Sequence, residues 1–207
     1  MNRIKLILIF LLVLPLIACF NSKQTMFLGI FPFFANEYQN CVDFSFERIE
    51  SKTMLKLIDD NAYSFERKKD INSLIKKSDT LILSIGMFDL LKGVYYDDGE
   101  QKYQYIPSLL ELFELNLYHI INSLIEVNKK ISLCVLSLYN PYVFADSSFY
   151  QDISLSVEKY NHVIEYICND FNLKFIDINE FSSFVEFNIL SNKSKEQIME
   201  LIRENAR

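Results

Sequence analysis

The chain has 207 residues, half of them hydrophobic, with 18 Phe, 12 Tyr and no Trp, a composition that excludes a disordered polypeptide. A formal net charge of −6 and a sequence pI near 5.0 exclude the basic footprint of a nucleic-acid binder. Its four Cys show no CxxC spacing, so neither a disulfide framework nor a zinc site is indicated, and a Cys41–Cys168 pair is the one bridge left open.

Arg3 and Lys5 precede an apolar run of 15 residues, Leu6 to Phe20. A membrane-spanning helix needs about 20 residues, so the run is too short, and with small Ala18 near its end it reads as a secretory signal. Its closing Leu16-Ile17-Ala18-Cys19 resembles the lipobox of bacterial lipoproteins. The resemblance implies removal of residues 1–18 and diacylation of the Cys19 thiol. A plain signal peptide with a chance Cys, or an uncleaved anchor, are the alternatives. Two acyl chains, at about 0.8 kcal/mol per buried CH₂, suffice for stable anchoring. The expectation is an extracytoplasmic chain tethered to the bacterial cell membrane, inner or outer undetermined. Without the leader, 19 Lys and Arg stand against 27 Asp and Glu, a net −8, in 189 residues. That length supports one domain with a real core. Its acidity gives no attraction to anionic lipid beyond the tether.

Residues 19–25 form a short polar tether, and residues 26–207 the domain. Met26 to Phe31 is an apolar run ending near Pro32, a first strand. Val42 to Glu47 alternates apolar with polar residues, as a half-buried strand does. Ser51 to Asp60 and Lys68 to Lys77 read as short helices. Asp79 to Gly86 is an apolar strand of the kind buried on both faces of a parallel sheet. Tyr95 to Tyr105 is a polar excursion turning at Asp97-Asp98-Gly99, a solvated turn without the ligand spacing of a Ca²⁺ loop. Pro107 opens a long helix with Leu110, Phe113, Leu117, Ile120, Ile121 and Leu124 as its apolar stripe. Ile131 to Leu138 is a strand, Gln151 to Phe171 a helix, Lys174 to Ile178 a strand, and Lys193 to Asn205 a final amphipathic helix. Strands alternating with helices give an α/β layered domain with a mostly parallel sheet.

Asp79 to Leu90, an apolar strand running into Gly86-Met87-Phe88-Asp89-Leu90, resembles the third sequence block of the SGNH/GDSL hydrolases, a strand ending in Gly-x-Asn-Asp-Leu. Leu136 to Tyr142, with its Tyr139-Asn140-Pro141 turn, and Tyr160-Asn161 followed by Phe175 to Phe181, are similar to a lipoprotein-type subgroup of that family. The resemblance implies a flavodoxin-like three-layer α/β sandwich. It also implies where a catalytic site stood, and there this chain departs from the pattern. Phe31 stands at the position of the nucleophilic Ser, Phe88 at the oxyanion Asn, Glu186 at the catalytic Asp and Ile189 at the catalytic His. No Gly lies between Gly29 and Gly86 to supply the second oxyanion donor, and neither His lies after residue 162.

A Ser hydroxyl needs a base to become a nucleophile, and each fixed oxyanion donor is worth about 10²–10³ in rate. Phe and Ile supply neither function. His119 and His162 read as solvated helix residues, His119 sharing its side with Asn116, Asn122, Ser123 and Glu126. Asp89 reads as a structural acceptor for backbone N–H groups of a loop. Phe31 and Phe88, joined by Phe33 and Phe34, make an apolar cleft or a filled one. The expected function is binding or a structural role at the cell envelope, without cofactor or metal, with an apolar ligand or an envelope protein as partner. The alternatives are a divergent extracytoplasmic esterase and an unrelated flavodoxin-like domain.

Overall fold

The computed structural model describes residues 23–29, 41–45, 48–64, 68–142, 147–179, 185–186, 189–190 and 192–205. Five parallel strands make the central sheet: β1 (Thr25–Gly29), β2 (Cys41–Ser45), β5 (Thr80–Ser84), β8 (Ser132–Leu136) and β9 (Lys174–Ile176), in the order β2-β1-β5-β8-β9. Thr25, expected in the tether, already belongs to β1, between Cys41 of β2 and Thr80 of β5.

Side chains alternate across a strand, and here both alternating sets are apolar. Met26, Leu28, Val42, Leu81, Leu83, Leu133 and Val135 point to one core. That core is completed by helices α1 (Ser51–Asp59), α2 (Ile71–Lys77), α4 (Pro107–Val127) and α5 (Ser147–Asp170). Phe27, Ile82, Cys134, Leu136, Ile176 and Ile178 point to the other, against Ile198, Met199 and Ile202 of α6 (Asn192–Asn205). The result is the expected three-layer α/β sandwich. Its layering also disposes of the open disulfide. Cys168 sits in the first core and Cys41 packs against the second, with the sheet between them. Burial pushes the Cys168 thiol up to about 12, which leaves it protonated and inert.

Several boundaries moved for identifiable reasons. Helix α2 starts at Ile71 rather than Lys68 because Asp70 caps it, accepting the Ser73 N–H and hydroxyl, each at 2.8 Å. Lys69–Asp70 instead forms β4, paired with β3 (Tyr63–Ser64). The polar excursion is a β-hairpin, β6 (Val94–Asp97) and β7 (Glu100–Tyr103). Its two central residues, Asp98 and Gly99, have φ of 49° and 83°. Two left-handed residues in a two-residue loop are what the twist of a tight hairpin favours. Asn128 ends α4 and ties it to α2 by donating to the carbonyls of Ile75 and Ser78, both at 2.9 Å. Further along, β10 (Val185–Glu186) pairs antiparallel with β11 (Ile189–Leu190). Among the described residues, no helix is long and apolar enough to cross a membrane.

Candidate functional site

The carboxyl ends of the parallel strands converge where α/β folds place their sites. β1 leaves the sheet at Gly29, whose φ is +124°, and a Cβ there would lie 1.8 Å from the Ser84 carbonyl oxygen. β5 leaves through Ile85 to Gly86, φ +112°, where a Cβ would lie 2.7 Å from the Phe113 ring. Gly86 then caps a short helix, α3 (Met87–Leu91), too short to carry a periodic sequence signal. Two backbones and one ring therefore pack at this mouth with no space for side chains at either glycine.

Helix α3 presents Phe88 and Asp89 to different surroundings. Phe88 is half-buried, and the Arg48 guanidinium, from the segment before α1, lies 6.0 Å from its ring centroid. Asp89 is buried, 4% exposed. Its Oδ2 accepts the Ser51 N–H at 2.9 Å and its Oδ1 accepts the Ser51 hydroxyl at 2.7 Å. Asn116 of α4 donates its amide to the same Ser51 oxygen at 3.0 Å. Asp89 is thus the structural acceptor expected of it, though its partner is the first residue of a helix rather than a loop. A Ser hydroxyl donating to a carboxylate has the form of an activated nucleophile. Here Ser51 is 0% exposed, so no substrate reaches it.

Burial is the largest influence on Asp89 and pushes its carboxyl above the usual range; the Ser51 donors and Lys92 pull it back only in part. A folded-state pKa above the unfolded one favours the fold most when the group is protonated. That contribution is complete below the ordinary value of about 3.9 and is lost as pH rises through the raised one. Urea unfolding between pH 3.5 and 7 is therefore expected to show the stability of the natural chain falling, relative to Asp89→Asn, as pH rises. A difference independent of pH would mean that the carboxyl titrates as it does in the unfolded chain.

The other polar groups of the mouth are consumed in holding the chain. Asn161 brackets Leu138, accepting its N–H at 2.6 Å and donating to its carbonyl at 2.9 Å. Asn140 donates to the Tyr150 carbonyl at 3.0 Å and to Ser154 Oγ at 2.8 Å, and accepts the Tyr142 N–H at 2.9 Å. The Ser137 hydroxyl donates to Asp177 at 2.8 Å and accepts the Ile178 N–H at 2.7 Å. Each is a backbone fastener between strand end and following segment.

His119 and His162 are exposed on α4 and α5, as expected of solvated residues. Asn116 does not share that exposed side, since it is 5% exposed and turned inward to Ser51. Its sequence position held the clue: it lies three residues after Phe113 and four before Ile120, within the buried stripe. Arg48 and Ser51 carried no comparable signal. Glu186 and Ile189 face each other across the β10–β11 pair, with their side chains outside the described residues. Cys19, Phe31, Phe33 and Phe34 also lie outside the described residues. Among those described, no group of three or more His, Cys, Asp or Glu is placed to hold a metal.

No family model matches the chain, and no curated protein matches it. Solved structures do share its fold. A lipase from a goat rumen metagenome superposes with a TM-score of 0.66 at 15% identity, covering 89% of this chain and 97% of the lipase. An acetyl xylan esterase gives 0.60 at 12% identity, over 87% and 98% of the two chains. A GDSL-like lipase from Bacteroides thetaiotaomicron gives 0.55 at 15%, over 88% and 86%. The chain has the α/β fold of the SGNH/GDSL-type esterases and lipases.

Proposed function

We propose that this chain is a bacterial lipoprotein, acylated at Cys19, whose SGNH-like domain works outside the cytoplasm by binding rather than by ester hydrolysis. The observation that carries the reading is Phe88. It occupies the carboxyl mouth, under Arg48, where the resemblance implies an amide donor. A phenyl ring cannot donate to an oxyanion, and one such donor is worth about 10²–10³ in rate. The closed Asp89–Ser51–Asn116 cluster and the exposed positions of both His support the same reading. An apolar ligand or an envelope protein is the proposed partner, and the membrane is contacted through the lipid.

A divergent esterase is the second reading, favoured by the lipases and acetyl xylan esterase among the structural neighbours. Every described strand and helix lies within residues 23–205, so the chain from residue 20 carries the whole described fold. That domain, assayed on short-chain p-nitrophenyl esters beside the Phe31→Ser, Phe88→Asn, Ile189→His variant, is expected to turn over no faster than buffer. Clear turnover by the natural domain, indifferent to changes around the mouth, would establish the esterase instead. Anchoring is tested separately: Cys19→Ser should abolish incorporation of labelled palmitate and release the protein from the membrane fraction.

A further inference from the structure

We propose that the domain edge from which the tether leaves is a seat for anionic phospholipid headgroups, a second membrane contact beside the acyl chains; the inference rests on the acylation of Cys19 proposed above. Two lysine pairs meet at that edge. Lys76 and Lys77 close α2, and Lys129 and Lys130 lie in the turn between α4 and β8. Asn128 fastens the two segments together, donating to the carbonyls of Ile75 and Ser78. Asp79 joins both to the tether. Its carbonyl accepts the Ser132 N–H at 2.9 Å, and its own N–H donates to the Gln24 carbonyl at 2.8 Å. The Asp79 carboxylate accepts the Gln24 N–H, also at 2.8 Å. Lys23, exposed, is the next residue toward Cys19. The lysines and the root of the tether thus share one hydrogen-bonded corner of the fold.

Net charge alone argues against such a contact; its distribution argues for it. Lys76, Lys77, Lys129 and Lys130 are exposed and make no ion pair among the described residues. With Lys23 and Lys56, six lysines stand at this corner against four carboxylates, those of Asp59, Asp60, Asp79 and Glu126. The corner therefore carries an excess of two positive charges on a domain of net −8, which leaves −10 for the rest. At the β9 end of the same edge, Lys174 and Arg203 are balanced by Asp170 and Glu204. At physiological ionic strength the Debye length is about 8 Å, so a surface facing this corner is screened from the acidic flanks. Each lysine held near an anionic leaflet strengthens the contact about fivefold. Helix dipoles favour cations where α2 and α4 end. They do not account for the cluster, because α5 ends at the same edge with no base in its last turn.

The test holds the 20–207 domain on vesicles by an amino-terminal hexahistidine tag and a small, fixed share of nickel-chelating lipid, so its outcome does not depend on acylation. The domain is expected to bind vesicles of equal parts phosphatidylglycerol and phosphatidylcholine at least about tenfold more tightly than vesicles of phosphatidylcholine alone. Salt at about 1 M, where the Debye length is about 3 Å, should erase the preference. Lys76→Gln, Lys77→Gln, Lys129→Gln and Lys130→Gln combined, surface changes that leave both cores intact, should erase it too. Lys52→Gln, Lys92→Gln, Lys102→Gln and Lys159→Gln combined remove the same charge from the side toward the mouth and should leave the preference in place. Equal binding to both vesicles, a preference kept by the four changes at the corner, or one lost in both variants would overturn the seat and leave the acyl anchor standing. Failure of palmitate labelling at Cys19 instead overturns the anchor, with the preference on vesicles unchanged, so the two failures are told apart.

Discussion

Gly29→Ala is expected to leave little or no folded protein. The added methyl would sit 1.8 Å from a backbone carbonyl oxygen of the neighbouring strand, and β1 is an inner strand, paired with both β2 and β5. Neither backbone can retreat without breaking the ladder that joins β1 to the central strand β5. The φ of +124° adds a conformational penalty of about 1–3 kcal/mol for any residue with a Cβ. Together these should exceed about 4 kcal/mol, a large share of the stability of a domain this size. The natural control is Gly99→Ala: at φ +83° it bears a backbone penalty as well, but nothing lies within 4 Å of its Cβ. Circular dichroism and urea unfolding of the two variants separate the effects. A Gly29→Ala protein as stable as Gly99→Ala would mean that β1 and β5 do not approach as described.

The second large effect is expected at Asp89. Asp89→Ala leaves the Ser51 N–H and hydroxyl without acceptors at a site with no access to water. A buried unsatisfied donor costs about 1–3 kcal/mol. Part of that is offset, because the carboxylate itself was costly to bury. The net loss should be about 3 kcal/mol by urea unfolding, against about 1 kcal/mol for Asp89→Asn, whose carbonyl still accepts one of the two donors. The ranking is the sharper prediction. If Ala were as well tolerated as Asn, the cluster would be contributing packing and not hydrogen bonds.

The sheet was legible in the sequence because its strands are buried on both faces and therefore read as unbroken apolar runs, Thr80–Ser84 and Ser132–Leu136 above all. Helix α4 was legible for a different reason: its stripe from Phe113 to Leu124 repeats at helical spacing behind Pro107. The small elements were not. A two-strand hairpin such as β6–β7 is half exposed and rich in Tyr, Asp and Lys, so its alternation is masked by charge. Helix α3 is a single turn or so, shorter than any periodic signal. At the site, Phe88 and Asp89 were found through the motif around Gly86. Ser51, Asn116 and Arg48 were not, because they meet Asp89, Ser51 and Phe88 only across 38 to 65 residues of sequence. Asn116 shows how such a residue is found: a polar side chain inside an apolar stripe implies a buried partner.

The direction of β1 has a consequence for orientation. Its amino end, Thr25, lies at the opposite edge of the sheet from the mouth at Gly29, and all five strands run the same way. Only Phe20 to Gln24 separate Thr25 from Cys19. Five residues reach at most about 18 Å even when fully extended. With Cys19 acylated as proposed, the lipid holds the base of the domain against the bilayer, and the Arg48–Phe88 mouth opens away from it. Whatever this protein takes up then comes from the space the domain projects into, and not from the leaflet to which it is attached.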